Sequence, residues 1–197
     1  MIQEREFSEL ENLIRWGGSS FPHQEVFIAR VQAQPALAKD ADAHGTTLLM
    51  VAAEVANLDA ARLLCRLGAD VNAEDLSGNN PLICVVQGGR DDLAQDNNFF
   101  TRSTIVDQLV RSGANPNKLG YQGCSALQCA IIFGQVNLVE RLLLGGGDAS
   151  QRLSDYPSNE DAYELVKSNR FRGSDSQREA ILCLLDASAV SQDRVIN

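Results

Sequence analysis

The chain offers few side chains whose types and spacing could support catalysis or metal binding. Only two histidines, His23 and His44, occur among its 197 residues, and its five cysteines show no C-x-x-C spacing. Zinc sites need such clusters, so we predict no metal or other cofactor. The stretch SSFPHQE at 19–25 places serine near histidine. A catalytic triad is assembled in space, however, and closeness in sequence does not indicate one.

Other candidate motifs also have ordinary structural explanations. The run LLLGGGDAS at 142–150 is glycine-rich, but no Lys-Ser/Thr follows, as a phosphate-binding loop requires. The adjacent acids Asp91–Asp92 and Glu160–Asp161 are typical of solvated surfaces. Cys124 precedes an expected helix start, which can lower a thiol pKa, yet a small buried thiol is the favoured interpretation. These residues predict a protein that is not an enzyme.

The composition is acidic. A net charge of −9 disfavours nucleic-acid binding, which needs excess Lys and Arg. The charge either favours a partner with a basic contact surface or only keeps the protein soluble. No apolar run reaches the roughly 20 residues that cross a bilayer, and MIQEREFSEL is not a signal peptide. We therefore expect a cytoplasmic protein without membrane contact; the oligomeric state stays open.

One short sequence motif recurs three times along the chain. RLGADVNAED occupies 66–75, RSGANPNKLG occupies 111–120, and the weaker copy LGGGDASQRL occupies 144–153. The surrounding units start at residues 42, 75 and 120, so the first spans 33 residues and the second 45. The second unit is therefore the same period with 12 residues inserted.

This period and its residues resemble the ankyrin repeat, whose units span about 33 residues around a T-P-L-H-x-A signature. The first unit matches the repeat pattern in its N-terminal loop, its helices and its closing turn, at Asp42, Gly45, Thr47, Leu49, Ala52, Ala53, Leu63, Leu64, Gly68, Ala69, Asp70, Val71 and Asn72. The resemblance implies an all-α solenoid of helix-turn-helix units with short β-hairpin-like loops and helical caps.

The residues themselves support such units. Thr47, Asn80 and Ser125 stand where first helices should begin, and their side chains can accept hydrogen bonds from free backbone N–H groups. Apolar residues at helical spacing follow each of them. Glycines stand where second helices should end: Gly68, Gly113 and Gly146.

The domain boundaries follow from this alignment. We expect an N-terminal helical cap or degenerate repeat at 1–41, three repeats at 42–152, and a degenerate fourth repeat with a tail at 153–197. The repeats run over 42–74, 75–119 with an insertion at 88–104, and 120–152. In the flanks we expect Val26 to face inward, helices at 161–169 and 176–186, and fraying from residue 187.

The resemblance also implies a binding surface on the concave face, formed by finger tips and the outward positions of the first helices. Exposed Phe99 and Phe100 would lose several kcal/mol of burial, at about 1.5–3 each, so they either dock on the array, which we favour for at least one, or await a partner. A longer second helix also explains the insertion, and Ile132 and Phe133 could instead pack on the C-terminal cap. The candidate partner-binding residues are His44, Glu54, Val55, Leu76, Gln87, Phe99, Phe100, Tyr121, Gln122, Ile132 and Phe133.

The predicted function is therefore protein binding without catalysis. A dedicated inhibitor, such as an immunity protein that neutralises a toxin, is an alternative suggested by size and charge. An enzyme, or a switch dependent on a metal or nucleotide, is the alternative of another class, and the scarcity of histidine argues against it.

Overall fold

The computed structural model describes residues 4–16, 23–88, 99–153 and 159–193. Within these ranges the secondary structure is helical, apart from one isolated bridge between Ala41 and Thr47. The chain divides into two compact units, Met1–Asn115 and Pro116–Asn197. The ten α-helices are α1 Glu4–Trp16, α2 His23–Ala33, α3 Leu48–Glu54, α4 Leu58–Arg66, α5 Pro81–Gly88, α6 Phe99–Arg111, α7 Ala126–Ile132, α8 Val136–Leu144, α9 Ala162–Lys167 and α10 Asp175–Asp193.

Helix pairs build the first unit. Helix α1 packs on α2, α3 on α4 and α5 on α6. Neighbouring pairs meet through two rows, since α1, α3 and α5 contact in turn, as do α2, α4 and α6. We call these the first-helix row and the second-helix row. The core between them is aliphatic and includes Leu49, Leu64, Leu82, Ile105 and Leu109, all fully buried.

The second unit repeats this arrangement with two pairs. Helix α7 packs on α8 and α9 on α10, while α7 also contacts α9 and α8 contacts α10. Leu127, Leu142, Leu165 and Leu185 are buried between them. A single helix pair cannot bury its apolar residues by itself. The pairs therefore stack, and the contacts between neighbouring pairs form the core.

The first helices begin where the sequence predicts. The Thr47 hydroxyl accepts a hydrogen bond from the Met50 N–H at 3.2 Å, and Asn80 Oδ1 accepts from the Ile83 N–H at 3.1 Å. In the second unit the Ser125 hydroxyl accepts from the Gln128 N–H. These three predicted N-caps are confirmed, and each satisfies a backbone donor that the helix cannot satisfy itself.

The recurring turn ends each second helix and ties it to the next turn. Gly68, Gly113 and Gly146 have φ of 81°, 94° and 91°, where side chains are disfavoured. Asn72 donates to the Gly113 carbonyl at 2.9 Å and accepts from the Asn115 N–H at 2.8 Å. In the second unit, Asn117 likewise donates to the Gly146 carbonyl at 3.0 Å. Each asparagine therefore fixes the turn that follows it.

Two expectations for the flanks are wrong. Helix α10 continues to Asp193, so the chain does not fray from residue 187. Val26 does not face inward: it is 50% exposed, while Phe27 and Val31 are buried. Their neighbour Ile28 is half-buried, so the buried stripe of α2 lies beside Val26 rather than through it.

The insertion contains a clamp made by one arginine. Helix α6 begins at Phe99, so the last residues of the segment 88–104 form a longer second helix. From this helix the buried Arg102 side chain donates through Nη1 to the carbonyls of Glu54 and Val85, both at 3.0 Å. These carbonyls belong to the last turns of α3 and α5, where the helix dipole favours a positive charge.

Candidate protein-binding site

Two finger tips of the first unit carry predicted partner-binding residues and are joined by a hydrogen bond. The Leu76 N–H donates to the His44 carbonyl at 2.8 Å. Asp42 and Asp75 shape the fingers, because each carboxylate accepts from two backbone N–H groups of its own loop. This scaffold leaves His44 exposed and Leu76 81% exposed. An apolar side chain is thus held at a fixed, solvent-facing position.

The ends of the first helices form the second part of this site. Glu54 closes α3 and is half-buried, and its Oε2 pairs with Arg15 Nη2 of α1 at 2.8 Å. Arg15 also pairs with Glu11 at 2.8 Å. Burial opposes the charge, but the hydrogen bonds to Glu11 and Glu54 raise the pKa of Arg15 overall. Val55 follows Glu54 and is half-buried.

Gln87 joins the site through a chain of side-chain hydrogen bonds. Its Nε2 donates to Asn79 Oδ1 at 2.9 Å, and Asn79 Nδ2 donates to Asp75 Oδ2 at 2.8 Å. The structure therefore links Gln87 on α5 to the finger that bears Leu76. We call the set Arg15, Glu54, Asp75, Leu76 and Gln87 the acidic face of the first unit.

Cys84 lies behind this face and carries no reactive thiol. Burial, together with the nearby carboxylates of Glu54 and Asp75, raises the pKa of Cys84 to about 12. A thiol that stays protonated is a poor nucleophile and a poor metal ligand. In the residues that the structure describes, no group of three or more His, Cys, Asp and Glu could hold a metal ion.

Sequence reasoning missed Arg15 and Cys84 in this neighbourhood. The N-terminal segment could have revealed Arg15, because Arg15-Trp16-Gly17 aligns with Glu54-Val55-Ala56 at the end of a first helix. Ala56 has a φ of 57°, the conformation for which glycine is the usual residue. That register places Arg15 beside Glu54.

In the second unit Ile132 and Phe133 contact the segment that connects α9 to α10. The Ile132 carbonyl accepts from the Arg172 N–H at 2.8 Å, and the Arg172 guanidinium lies 5.6 Å from the centre of the Phe133 ring. Both Ile132 and Phe133 are half-buried, which agrees with the alternative interpretation that these two residues pack against the C-terminal part of the chain. Gln122 is exposed in a turn with a φ of 55°.

Cys124 and the remaining aromatic candidates complete the predicted set. Cys124 is buried, as the favoured interpretation predicted. Phe100 is 79% exposed at the start of α6 and is not docked. The side chains of Phe99 and Tyr121 lie outside the described part of the chain. That at least one Phe of the pair Phe99 and Phe100 docks on the array therefore stays a prediction, and it concerns Phe99. In the described ranges no helix is long and apolar enough to span a membrane.

Comparison with known proteins supports the repeat assignment. Residues 44–76 match the family model described as Ankyrin repeat. The B-cell lymphoma 3 protein homolog of Mus musculus is 37% identical over 106 residues, which is 53% of this chain and 21% of that protein. Ankyrin repeat domain-containing protein 63 of Homo sapiens is 29% identical over 140 residues, or 69% of this chain and 34% of that protein.

The chain spans between a fifth and a third of the length of these two relatives. The family model matches where the structure of the first unit has the capped helix α3, helix α4 and the following finger. The chain therefore contains ankyrin repeat sequence at residues 44–76, and ankyrin repeats are protein–protein interaction modules.

Proposed function

We propose that the acidic face of the first unit binds a protein partner whose contact surface is basic. The observation that carries this proposal is the placement of exposed Leu76 directly after Asp75, next to the ends of the first helices. An apolar anchor within a polar rim is the usual anatomy of a protein interface. Ankyrin-repeat proteins are generally interaction modules without catalysis, which is the function we propose here.

The charges on this face favour a basic partner. The Arg15 guanidinium pairs with the carboxylates of Glu11 and Glu54, and Asp75 adds a third carboxylate near Cys84. The face therefore carries an excess of negative charge, as does the whole chain with its net charge of −9. A lysine or arginine of the partner could bind Glu54, whose side chain remains 45% exposed beside Arg15.

Leu76 supplies the strongest test. The protein, immobilised as bait, would capture partners from extracts of its source cells, and a captured partner would be purified and its Kd measured by calorimetry. We expect Leu76→Ser to weaken binding by about tenfold or more, because truncating an interface anchor costs at least about 1–2 kcal/mol. Glu54→Gln should weaken binding less and should remove part of its salt dependence.

A second exposed leucine provides the matched control. Leu144 ends α8 in the second unit and is 73% exposed. We expect Leu144→Ser to leave the Kd unchanged within about twofold, since an exposed contact outside an interface contributes little. Equal losses in both variants, or none in Leu76→Ser, would refute the proposed site.

The same experiment separates the other functions predicted from the sequence. Capture of an enzyme or toxin whose activity falls on binding would identify an inhibitor of that protein. Partner binding with no loss of activity would identify an adaptor. Turnover of a small-molecule substrate by the purified chain alone would instead indicate an enzyme and contradict the proposal.

A further inference from the structure

A groove on the opposite row of helices is not used by the proposed function. It lies in the first unit between α2, α4 and α6, the second-helix row, and has a volume of about 440 Å³. Helix α4 contributes most of its wall, with apolar Leu63 buried at the base. The groove is lined by Gln24, Ile28, Asp59, Arg62, Leu63, Arg66 and Gln108.

Two arginines dominate the charge of this groove. Arg62 and Arg66 lie one turn apart on α4, and both are exposed. Among the residues that the structure describes, no carboxylate lies within ion-pair distance of either guanidinium. Elsewhere in the first unit, Arg15 and Arg30 each bind two carboxylates. The two groove arginines are therefore available to an external anion.

The acidic residue of the groove is already engaged. Asp59 stands in the first turn of α4, where the helix dipole stabilises a negative charge. Its Oδ2 accepts a hydrogen bond from Gln24 Nε2 at 2.7 Å. At one end of the groove the Asp59 carboxylate therefore already has a hydrogen-bond partner within the protein. The other end, at Arg62 and Arg66, is positively charged.

We propose that this groove binds an extended acidic segment of a protein, with two carboxylates at alternate positions. Residues four apart on a helix are separated by about 6 Å along its axis. Alternate side chains of an extended strand point the same way and are about 6.6 Å apart. A Glu-x-Glu or Asp-x-Asp segment therefore places one carboxylate opposite Arg62 and the next opposite Arg66.

A peptide fits the groove better than a small anion does. Two carboxylates give each guanidinium its own partner at the helical spacing, whereas a single phosphate would have to draw both side chains together. A peptide can also cover the apolar base formed by Leu63 and Ile28. At physiological salt the Debye length is about 8 Å, so these local charges decide binding despite the net negative charge of the chain.

The test uses the full chain and a fluorescein-labelled nine-residue peptide with Glu-Thr-Glu at its centre. Anisotropy titrations at physiological salt would give the Kd for this peptide and for its Gln-Thr-Gln counterpart. We expect only the acidic peptide to bind. The double variant Arg62→Ala/Arg66→Ala should weaken binding by about tenfold or more, since each charge-assisted contact contributes roughly a factor of three to ten.

Arg111 provides a matched control on the neighbouring helix. It is exposed on α6 and does not line the groove. We expect Arg111→Ala to change the Kd by less than about twofold, because distant exposed charges are screened. All three substitutions are at exposed positions, and thermal melting would verify that the variants remain folded.

Three outcomes would overturn this proposal. Binding of the Gln-Thr-Gln peptide with equal affinity would show that the carboxylates are not recognised. An equal loss in Arg111→Ala and in the double variant would indicate unspecific charge attraction. Displacement of the peptide by an equal concentration of inorganic phosphate would assign the groove to a small anion instead. None of these results depends on the partner of the acidic face, which Leu76→Ser tests separately.

Discussion

Asn72 fixes two successive turns through its amide group. It donates to the Gly113 carbonyl and accepts from the Asn115 N–H. We expect Asn72→Ala to lower the free energy of unfolding by about 1–3 kcal/mol, since both hydrogen bonds are lost and backbone groups lose their partners. Urea denaturation followed by circular dichroism would measure this change.

The exposed Asn137 on α8 serves as the comparison for Asn72. Its replacement by alanine removes the same atoms from a helix, where alanine is the better residue, so stability should change by less than about 0.5 kcal/mol. Indistinguishable unfolding midpoints for Asn72→Ala, Asn137→Ala and the native chain would show that the turn ladder contributes nothing.

The raised pKa of Cys84 predicts that the folded protein loses stability at alkaline pH. Its folded-state pKa is raised from 9.0 to about 12, so above pH 9 the unfolded thiol releases a proton that the folded thiol keeps. This contribution is fully present below pH 9 and is lost as the pH rises toward 12, by up to about 1.4 kcal/mol per pH unit. Urea denaturation at several pH values would give a steeper decline for the native chain than for Cys84→Ala. Parallel declines would contradict the prediction.

Residue-scale predictions succeeded where the cause is local. The N-caps and the closing glycines depend on the residue and its immediate neighbours, so their positions could be predicted from the repeat alone. The pairing of Arg15 with Glu54 joins positions 39 apart in sequence, and only the packing of α1 on α3 creates it. Helix packing also explains the exposed Val26. The helical period of the sequence predicts an apolar stripe, but it does not say which edge of that stripe packs against a neighbouring helix.

At the scale of elements, Gly88 at the end of α5 is fixed by the approach of α3. An added Cβ would stand 1.9 Å from the Glu54 carbonyl oxygen and 2.8 Å from Arg102 Nη1. Although alanine is the better helix residue, we expect Gly88→Ala to lower the unfolding free energy by about 2 kcal/mol or more, because backbone must move. Chemical denaturation would measure the loss.

Gly146 separates this steric effect from backbone strain. Its φ is 91° and no atom lies within 4 Å of the position of an added Cβ. Gly146→Ala should therefore cost only the left-handed conformation, about 1–2 kcal/mol. A smaller loss for Gly88→Ala than for Gly146→Ala would mean that α3 and α5 separate easily.

The helices themselves were largely predictable, and the contacts of the insertion were not. The repeat period placed the first and second helices because each unit repeats the same capping and apolar pattern. Arg102 has no counterpart in the other units, so no pattern indicated that it would be buried between α3 and α5. Similarly, the terminal position of the residues from 187 onward suggested fraying, yet helix α10 continues to Asp193.

For the whole molecule, the net charge of −9 predicts how a basic partner associates. Long-range attraction raises the association rate constant and is screened by salt. Between about 0.05 and 0.5 M NaCl we expect this rate constant to fall roughly tenfold while the dissociation rate constant changes little. Stopped-flow or surface-plasmon measurements on the captured partner would test this; a rate constant independent of salt would exclude a basic contact surface.

The Arg102 clamp has a consequence for how this chain can vary. One guanidinium joins the ends of two helices from the start of a third, so it helps to hold α3, α5 and α6 together. Lengthening a loop costs little free energy when its ends are already held, about 0.6 kcal/mol for each doubling. The connection between Gly88 and Phe99 is therefore a place where new sequence can be grafted, by evolution or by design, without rebuilding the repeat that carries it.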